Sequence, residues 1–372
     1  MGCLSHLKLR NFRNYAELVV DLEPGLSILK GANGEGKTSI LEAIYYLSLL
    51  RSFRTRSISE LQMWGRGYFA AEARLVSGRG PLADETLSVI YGERRRLKIN
   101  GAPITKASEF INRFLCVAFV PEDIRLVKGS PGRRRRFLDI LLSQTTGNYL
   151  FHLIKYQAAL KARNAVLKEP GRYGKHALAA YDKLLSENGA EVVVHRGVLV
   201  DALNETLATR GSQLFGDQRR CSVRYRSNVL RRELQEADTE TIGADFAKVL
   251  MQEMTGDVEA GTTRYGPHRD DISLYLDGKP VGVFGSEGQQ RLFSLALRLA
   301  SVDIMGERCA EDKPLLLVDD VLGELDESRR AAFLSAFRET EQVVLACTRI
   351  PDELEGSGNR FRVSAGTCDR VT

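Results

Sequence analysis

LSILKGANGEGKTSILEAIYYLSLL, residues 26–50, decides the fold. Its opening, LSILKG, is a short apolar run bounded by Pro24-Gly25 and Gly31, which reads as a buried strand. Its end, ILEAIYYLSLL, has the apolar spacing of a helix buried on most sides. Between them Gly31, Ala32, Asn33, Gly34, Glu35, Gly36, Lys37 and Thr38 satisfy G-x-x-x-x-G-K-[ST], and Ser39 follows on the first helical turn. Strand, loop and helix in this order give the pattern its mechanism. The glycines let backbone N–H groups close around phosphates, and the helix N-terminus favours the anion. Lys37 would neutralise the β and γ oxygens, and Thr38 would ligate Mg²⁺, so ATP and Mg²⁺ are the expected cofactors.

Composition allows such an enzyme. At 372 residues the chain can bury two or three cores, and 43% apolar with 27% charged residues excludes a disordered or fibrous protein. The six cysteines never fall into a metal-binding spacing and read as reduced thiols. No apolar stretch is long enough for a membrane span, and the first residues carry charge where a secretion signal is apolar, so a cytoplasmic protein without a membrane partner is expected. The net charge of +5 is uneven. Between Arg125 and Phe215 there are 15 Lys or Arg against 7 Asp or Glu, a surplus of +8, which leaves −3 for the remainder. A basic middle segment suits a polyanion partner.

Two further stretches organise the rest of the chain. From Tyr68 to Phe119, short runs (YFAAEARLV, ETLSVIY, RRLKI, FLCVAFV) broken by Gly, Pro and Asn predict a small antiparallel sheet, with Asn100-Gly101 as a hairpin turn. Arg133 to Lys168 reads as helical. After the breaker EPGRYG, a second helical pattern runs through Leu178, Leu185, Val192 and Leu199. Two helices of roughly 35 residues would form an antiparallel arm about 50 Å long, with Gln157, Asn164, Asn188 and His195 as polar seam positions. Further on, ELQEADTETIGADFAKVLMQEM reads as helical, and DISLYLDGKPVGVF as two strands around Asp277-Gly278.

The second chemical motif is LLLVDD, Leu315–Asp320, a buried strand tipped by two acids. Asp319 would help to hold Mg²⁺ and Asp320 would polarise the attacking water. These two motifs define a P-loop nucleoside triphosphatase and nothing finer. SEGQQR, Ser286–Arg291, discriminates further, because it is similar to the signature motif of ABC-type ATPases. By that resemblance Ser286, Gly288 and Gln289 would meet the γ-phosphate held by a second copy, which implies an ATP-dependent homodimer; taken alone, Ser286 is also a plain helix N-cap. The same resemblance places Asp326 in a D-loop, GELD, and Thr348 at a switch position near the γ-phosphate.

Over nearly the whole chain the motifs resemble the RecF family: LRNFRNY, NGEGKTSILEAIYYLS, SFRTRS, VPEDIRLVKGSPGRRRRFLDILLSQ, YQAALKARNAVLK, GPHRDD, SEGQQR and LLLVDDVLGELD. The family is similar to SMC ATPase heads that lack the long coiled coil. The resemblance implies an α/β fold: an ABC/SMC-type P-loop ATPase head, a mixed sheet with helices, over residues 1–124 and 216–372, and an inserted antiparallel helical arm over 125–215. It implies ATP-driven dimerisation on gapped duplex or single-strand/double-strand junctions, work with RecR and RecO in loading RecA during recombinational repair, replication and the SOS response, and slow DNA-stimulated ATP hydrolysis. It also implies that Arg13 and Asn14 lie near the nucleotide. One departure is plain: where SMC-like heads carry a Gln that senses metal and water, this chain reads Val120-Pro121-Glu122-Asp123. Candidate DNA contacts are Arg133, Arg134, Arg135, Arg136, Lys155, Lys161 and Arg163, with Arg51–Arg56 beside them; phosphate contact needs only positive charge within reach. A transporter's nucleotide-binding subunit and a non-hydrolysing scaffold are the competing readings. The long basic insertion speaks against the first, and only a hydrolysis measurement separates the second.

Overall fold

The computed structural model describes residues 2–76, 84–169, 175–229, 238–309 and 313–371. The chain divides into two compact units, one formed by residues 1–123 and 298–372 and the other by residues 124–297.

The first unit has two six-stranded sheets. In one, the order is Thr367–Val371, Asn359–Ser364, Gly25–Lys30, Gln342–Cys347, Leu315–Asp319, Cys116–Phe119, parallel throughout except for the first strand. Val344 pairs with Ser27 on one side and Leu317 on the other. Strands covered on both faces can be apolar without alternation, which is why LLLV and VVLA are buried at every residue. The second sheet is antiparallel, in the order Tyr15–Asp21, Cys3–Phe12, Phe69–Val76, Glu85–Tyr91, Arg95–Ile99, Ala102–Ile104. Here the sequence alternates, and Phe69, Ala71, Ala73 and Leu75 point inward. The Lys37–Leu49 helix contacts strands of both sheets and buries nearly all its side chains, as its apolar spacing predicts.

Two details differ from the sequence reading. Cys116–Phe119 leaves the antiparallel set and pairs with Leu315–Val318, because its four consecutive apolar residues suit a strand covered on both faces. The hairpin at Asn100-Gly101 forms as expected, with φ of +51° and +78°; a matching one at Ala365-Gly366, φ +49° and +81°, carried no asparagine or aspartate to announce it.

The second unit is led by helices Pro131–Thr145, Tyr149–Lys168 and Lys175–Phe215. The span 133–168 is therefore two helices, interrupted at Thr146-Gly147-Asn148, and the following helix has 41 residues, about 60 Å. Residues 170–174 of the expected turn, and 230–237 of the next expected helix, lie outside the described residues. The Tyr149–Lys168 helix packs along its longer neighbour through Tyr156, Ala159, Val166 and Leu167 against Leu178 and Leu185. Helix Thr239–Gln252 closes the same groove with Phe246 and Leu250, and sets Ile242 on Ala190 and Val193. A three-stranded sheet, Lys279–Pro280, Asp271–Leu276, Cys221–Arg226, joins them. Asn204, on the long helix, ties that sheet on with two bonds: its amide donates to the Val223 carbonyl at 2.9 Å and accepts from the Val223 N–H at 2.7 Å. These contacts explain why the compact unit continues to Leu297, where the sequence reading ends the insertion at 215. The second hairpin strand stops at Pro280, which has no N–H to donate, and Val281–Phe284 turns helical.

Candidate nucleotide-binding site

Parallel pairing brings the carboxyl ends of Gly25–Lys30, Leu315–Asp319 and Cys116–Phe119 to one edge, the place where ligands bind in such sheets. There the loop Gly31–Gly36, Asp319, Asp320, Pro121 and Glu122 meet in a cleft of about 640 Å³ that also takes in Arg13, Asn14, Lys37, Thr38 and Ser39. Gly34 and Gly36 hold φ of +85° and +106°, a backbone that side chains resist. A Cβ on Gly36 would lie 2.4 Å from the Asn14 amide and 2.6 Å from the Tyr15 hydroxyl, so only glycine lets the loop pack this closely on that corner. Gly36 is also the helix N-cap and offers no side chain, which leaves the Lys37 and Thr38 amides for an anion, the Ser39 N–H donating to the Gly36 carbonyl at 2.9 Å. Lys37 Nζ donates to the carbonyls of Gly31 at 2.9 Å and Ala32 at 2.8 Å, so the ammonium is folded over the mouth of the loop.

The donor set also fits a divalent cation. Thr38 Oγ1 donates to Asp319 Oδ1 at 2.9 Å, although the two residues are 281 positions apart. Burial pushes the Asp319 carboxyl up to about 6, against the Thr38 bond, and the charges of Glu122 and Asp320 push the same way. A hard cation would relieve this crowding of acids, with Thr38 and Asp319 holding it and phosphate oxygens and water completing its shell. Asp320 has φ +52°, is exposed, and its N–H donates to the Ala346 carbonyl at 3.0 Å, which fixes the strand end against its neighbour.

Sequence reasoning missed the residue that organises this corner. Glu42, fully buried, receives Arg13 Nε and Nη2 at 2.8 Å each and the Ser52 hydroxyl, with Arg54 at 3.6 Å. An acid inside the apolar run ILEAIYYL was the available signal, because a buried carboxylate requires partners. Arg13 is thereby held at the rim by Glu42, and Asn14 Nδ2 donates to the Glu35 carbonyl at 3.3 Å. Where SMC-like heads carry glutamine, Glu122 lines the cleft while Asp123 turns away to Arg298 at 2.6 Å. Asp326 caps the Glu327–Ser335 helix and pairs with Arg329 at 2.6 Å; Thr348 is exposed just past Cys347 and does not line the cleft.

Ser286 caps the 22-residue helix Glu287–Arg308 with a reciprocal pair of bonds: the Gln289 N–H donates to Ser286 Oγ at 3.3 Å, and the Ser286 N–H donates to Gln289 Oε1 at 2.9 Å. Ser286 is exposed and Gly288 faces open space. The expected DNA contacts separate. Lys155 and Lys161 are exposed, Lys155 lying 4.1 Å over the Phe151 ring. Arg133 and Arg136 are half-buried. Arg134 is bidentate on Asp271 at 2.8 Å, and Arg135 donates to the Asp270 carbonyl at 2.6 Å. Arg163 must be withdrawn from the set: it is 0% exposed, and its guanidinium reaches Asp182 and Asp257 at 2.6 Å and Thr263 at 2.9 Å, out of reach of any phosphate.

A phosphate cradle at one parallel strand's end and a carboxylate at another's, one strand removed, define the head of a P-loop ATPase of the ABC/SMC type. Residues 3–352 match the family described as the RecF/RecN/SMC N terminal domain. The DNA replication and repair protein RecF of Symbiobacterium thermophilum is 38% identical over 368 residues, covering 98% of this chain and 97% of that protein. A solved structure of the recombination mediator protein RecF with ATP in the RecFOR pathway superposes with a TM-score of 0.90 at 29% identity, over 99% of this chain and 97% of that one. The Smc head domain from Pyrococcus furiosus, at 15% identity and a TM-score of 0.54, shares the fold. The chain belongs to the RecF family. Among the described residues no helix is long and apolar enough to cross a membrane.

Proposed function

We propose that this chain is an ATP-dependent DNA-binding protein of recombinational repair and replication maintenance, a Mg²⁺-dependent ATPase that acts in the cytoplasm as a switch. ATP draws two copies together on gapped DNA, and the dimer works with RecO and RecR to load RecA. The observation that carries this reading is the convergence of Lys37, Thr38 and Asp319 on one cleft. Lys37 and the loop amides bind the phosphates, Thr38 and Asp319 hold the cation, and Asp320 orients the attacking water. ATP supplies binding energy for a second copy through its γ-phosphate, which Ser286 and Gly288 of that copy approach from a capped helix end. Turnover then releases the pair. Lys155 and Lys161 contribute phosphate contacts to DNA.

Sedimentation with and without ATP tests the switch. Lys37→Ala should lose ATP binding and remain monomeric, whereas Ser286→Ala should keep ATP binding as a monomer and fail to dimerise. Dimers of Ser286→Ala in ATP would remove the signature helix from the seam. Equal hydrolysis by the wild type and Asp320→Asn, with DNA present, would remove Asp320 from the catalytic role, and a wild type with no turnover above background would be a scaffold that binds ATP only.

A further inference from the structure

Trp64 is the chain's one tryptophan and is 98% exposed. Single exposed apolar residues are common and carry no message by themselves. Trp64 differs in where it stands and in how firmly it is held. It occupies the turn Met63–Arg66, closed by the Arg66 N–H donating to the Met63 carbonyl at 3.0 Å, with Gly65 at φ +76° in the left-handed position that a type II turn requires. The turn is fastened to the Asn11–Arg13 corner: the Arg13 N–H donates to the Leu61 carbonyl, and the Met63 N–H to the Asn11 carbonyl, both at 2.8 Å, with a bridge between Phe12 and Gln62. Asn14 and Tyr15, which continue that corner, press against Gly36 of the phosphate loop. The turn that carries the indole is thus set in fixed relation to the cradle. Trp64 lines the same cleft as Lys37 and Asp319, and is the one aromatic among the described residues that do so.

We propose that Trp64 stacks on the base of the bound nucleotide. This rests on the reading of the cleft as an ATP site, which accounts for the phosphates and the cation but leaves the base without a partner. A base offers a flat π-face, and an indole carried on a rigid turn covers it with little loss of conformational freedom. Stacking reads ring area and not hydrogen-bond edges, so the site grips a purine better than a pyrimidine without strict selection. Trp64 is then a specificity-determining residue with no part in the chemical step.

The full chain tests this directly, since all tryptophan fluorescence comes from Trp64. ATP should change the emission and inorganic tripolyphosphate should not. By calorimetry, Trp64→Ala should lose affinity for ATP by about 5- to 150-fold, keep its affinity for tripolyphosphate, and show a smaller ATP-to-UTP ratio than the wild type. Trp64→Phe should recover most of the loss. Unchanged ATP affinity in Trp64→Ala overturns the stacking role while the phosphate site stands. An equal loss for ATP and tripolyphosphate overturns it as well, by assigning Trp64 to the order of the loop. A wild type that binds neither compound would sink the nucleotide reading itself, and the stacking proposal with it.

Discussion

Two regions use the same charged residue types for opposite ends: the nucleotide cleft of the first unit and the helix-packed interior of the second. In the first, charge faces a cleft: Lys37 is restrained only by two carbonyl oxygens, and Asp319, Asp320 and Glu122 crowd one strand edge, so the site gains by taking up a polyphosphate and a cation. In the second, charge is spent inside. Arg163 is divided between Asp182 and Asp257, and Arg196 reaches Asp139 and the Pro267 carbonyl at 2.7 Å each. A basic segment is therefore not the same thing as a basic surface. Each buried cation here fixes which helix meets which loop, and only those left over are available to DNA.

The sharpest test of this contrast is Arg163→Ala, which takes the shared guanidinium from Asp182 and Asp257, leaves the buried Asp257 to Arg264 alone, and should lower the unfolding free energy by about 3 kcal/mol in urea titration. Lys161→Ala, two positions away but exposed, should stay within about 0.5 kcal/mol. Similar small losses for both would erase the distinction between the inner and outer cations.

Next in size is a pH effect at His268. Burial lowers its pKa from 6.5 to about 4; Arg269 and Arg135 act in the same direction, against the Thr263 carbonyl and Asp257. The neutral ring fits its bonds, with Nε2–H donating to the Thr263 carbonyl at 3.0 Å and Nδ1 accepting from the Tyr156 hydroxyl at 2.6 Å. Between these two pKa values the unfolded chain takes up a proton that the folded chain refuses. Stability should therefore be withdrawn as pH falls from 6.5, by about 3 kcal/mol at pH 4. His268→Gln should flatten that part of the pH-stability curve, and an unchanged slope would place the titration elsewhere.

The smallest effect belongs to the outer cations. Lys155→Ala and Lys161→Ala should each reduce the slope of log affinity against log salt for duplex DNA by about 0.9 and leave stability alone. A slope that stays at the wild-type value in the double variant would move the DNA surface away from this helix.

The site was legible in proportion to how local it is. The loop and first helical turn at Gly31 to Ser39 could be read outright, because such a cradle is made by consecutive backbone amides and one following helix turn. Both NG and DG hairpins could be read for the same reason, since two adjacent residues set the turn. Glu42 was half visible, as an acid where an apolar residue was due. Arg163 was misread because an arginine on a helix looks the same whether its partners are water or aspartates brought in from elsewhere.

By itself, then, the sequence determined the strand, loop and helix around Gly31–Thr38 and the acid-tipped strand Leu315–Asp319, both written in contiguous residues. Only the tertiary structure decided which strand lies beside Leu315–Asp319, that Arg13 leans on Glu42, and that Arg163 is enclosed by partners as far as 94 and 100 residues along the chain. The physical reason is that propensity and backbone geometry act over a few residues, whereas desolvation and ion pairing depend on whatever surface folding brings alongside.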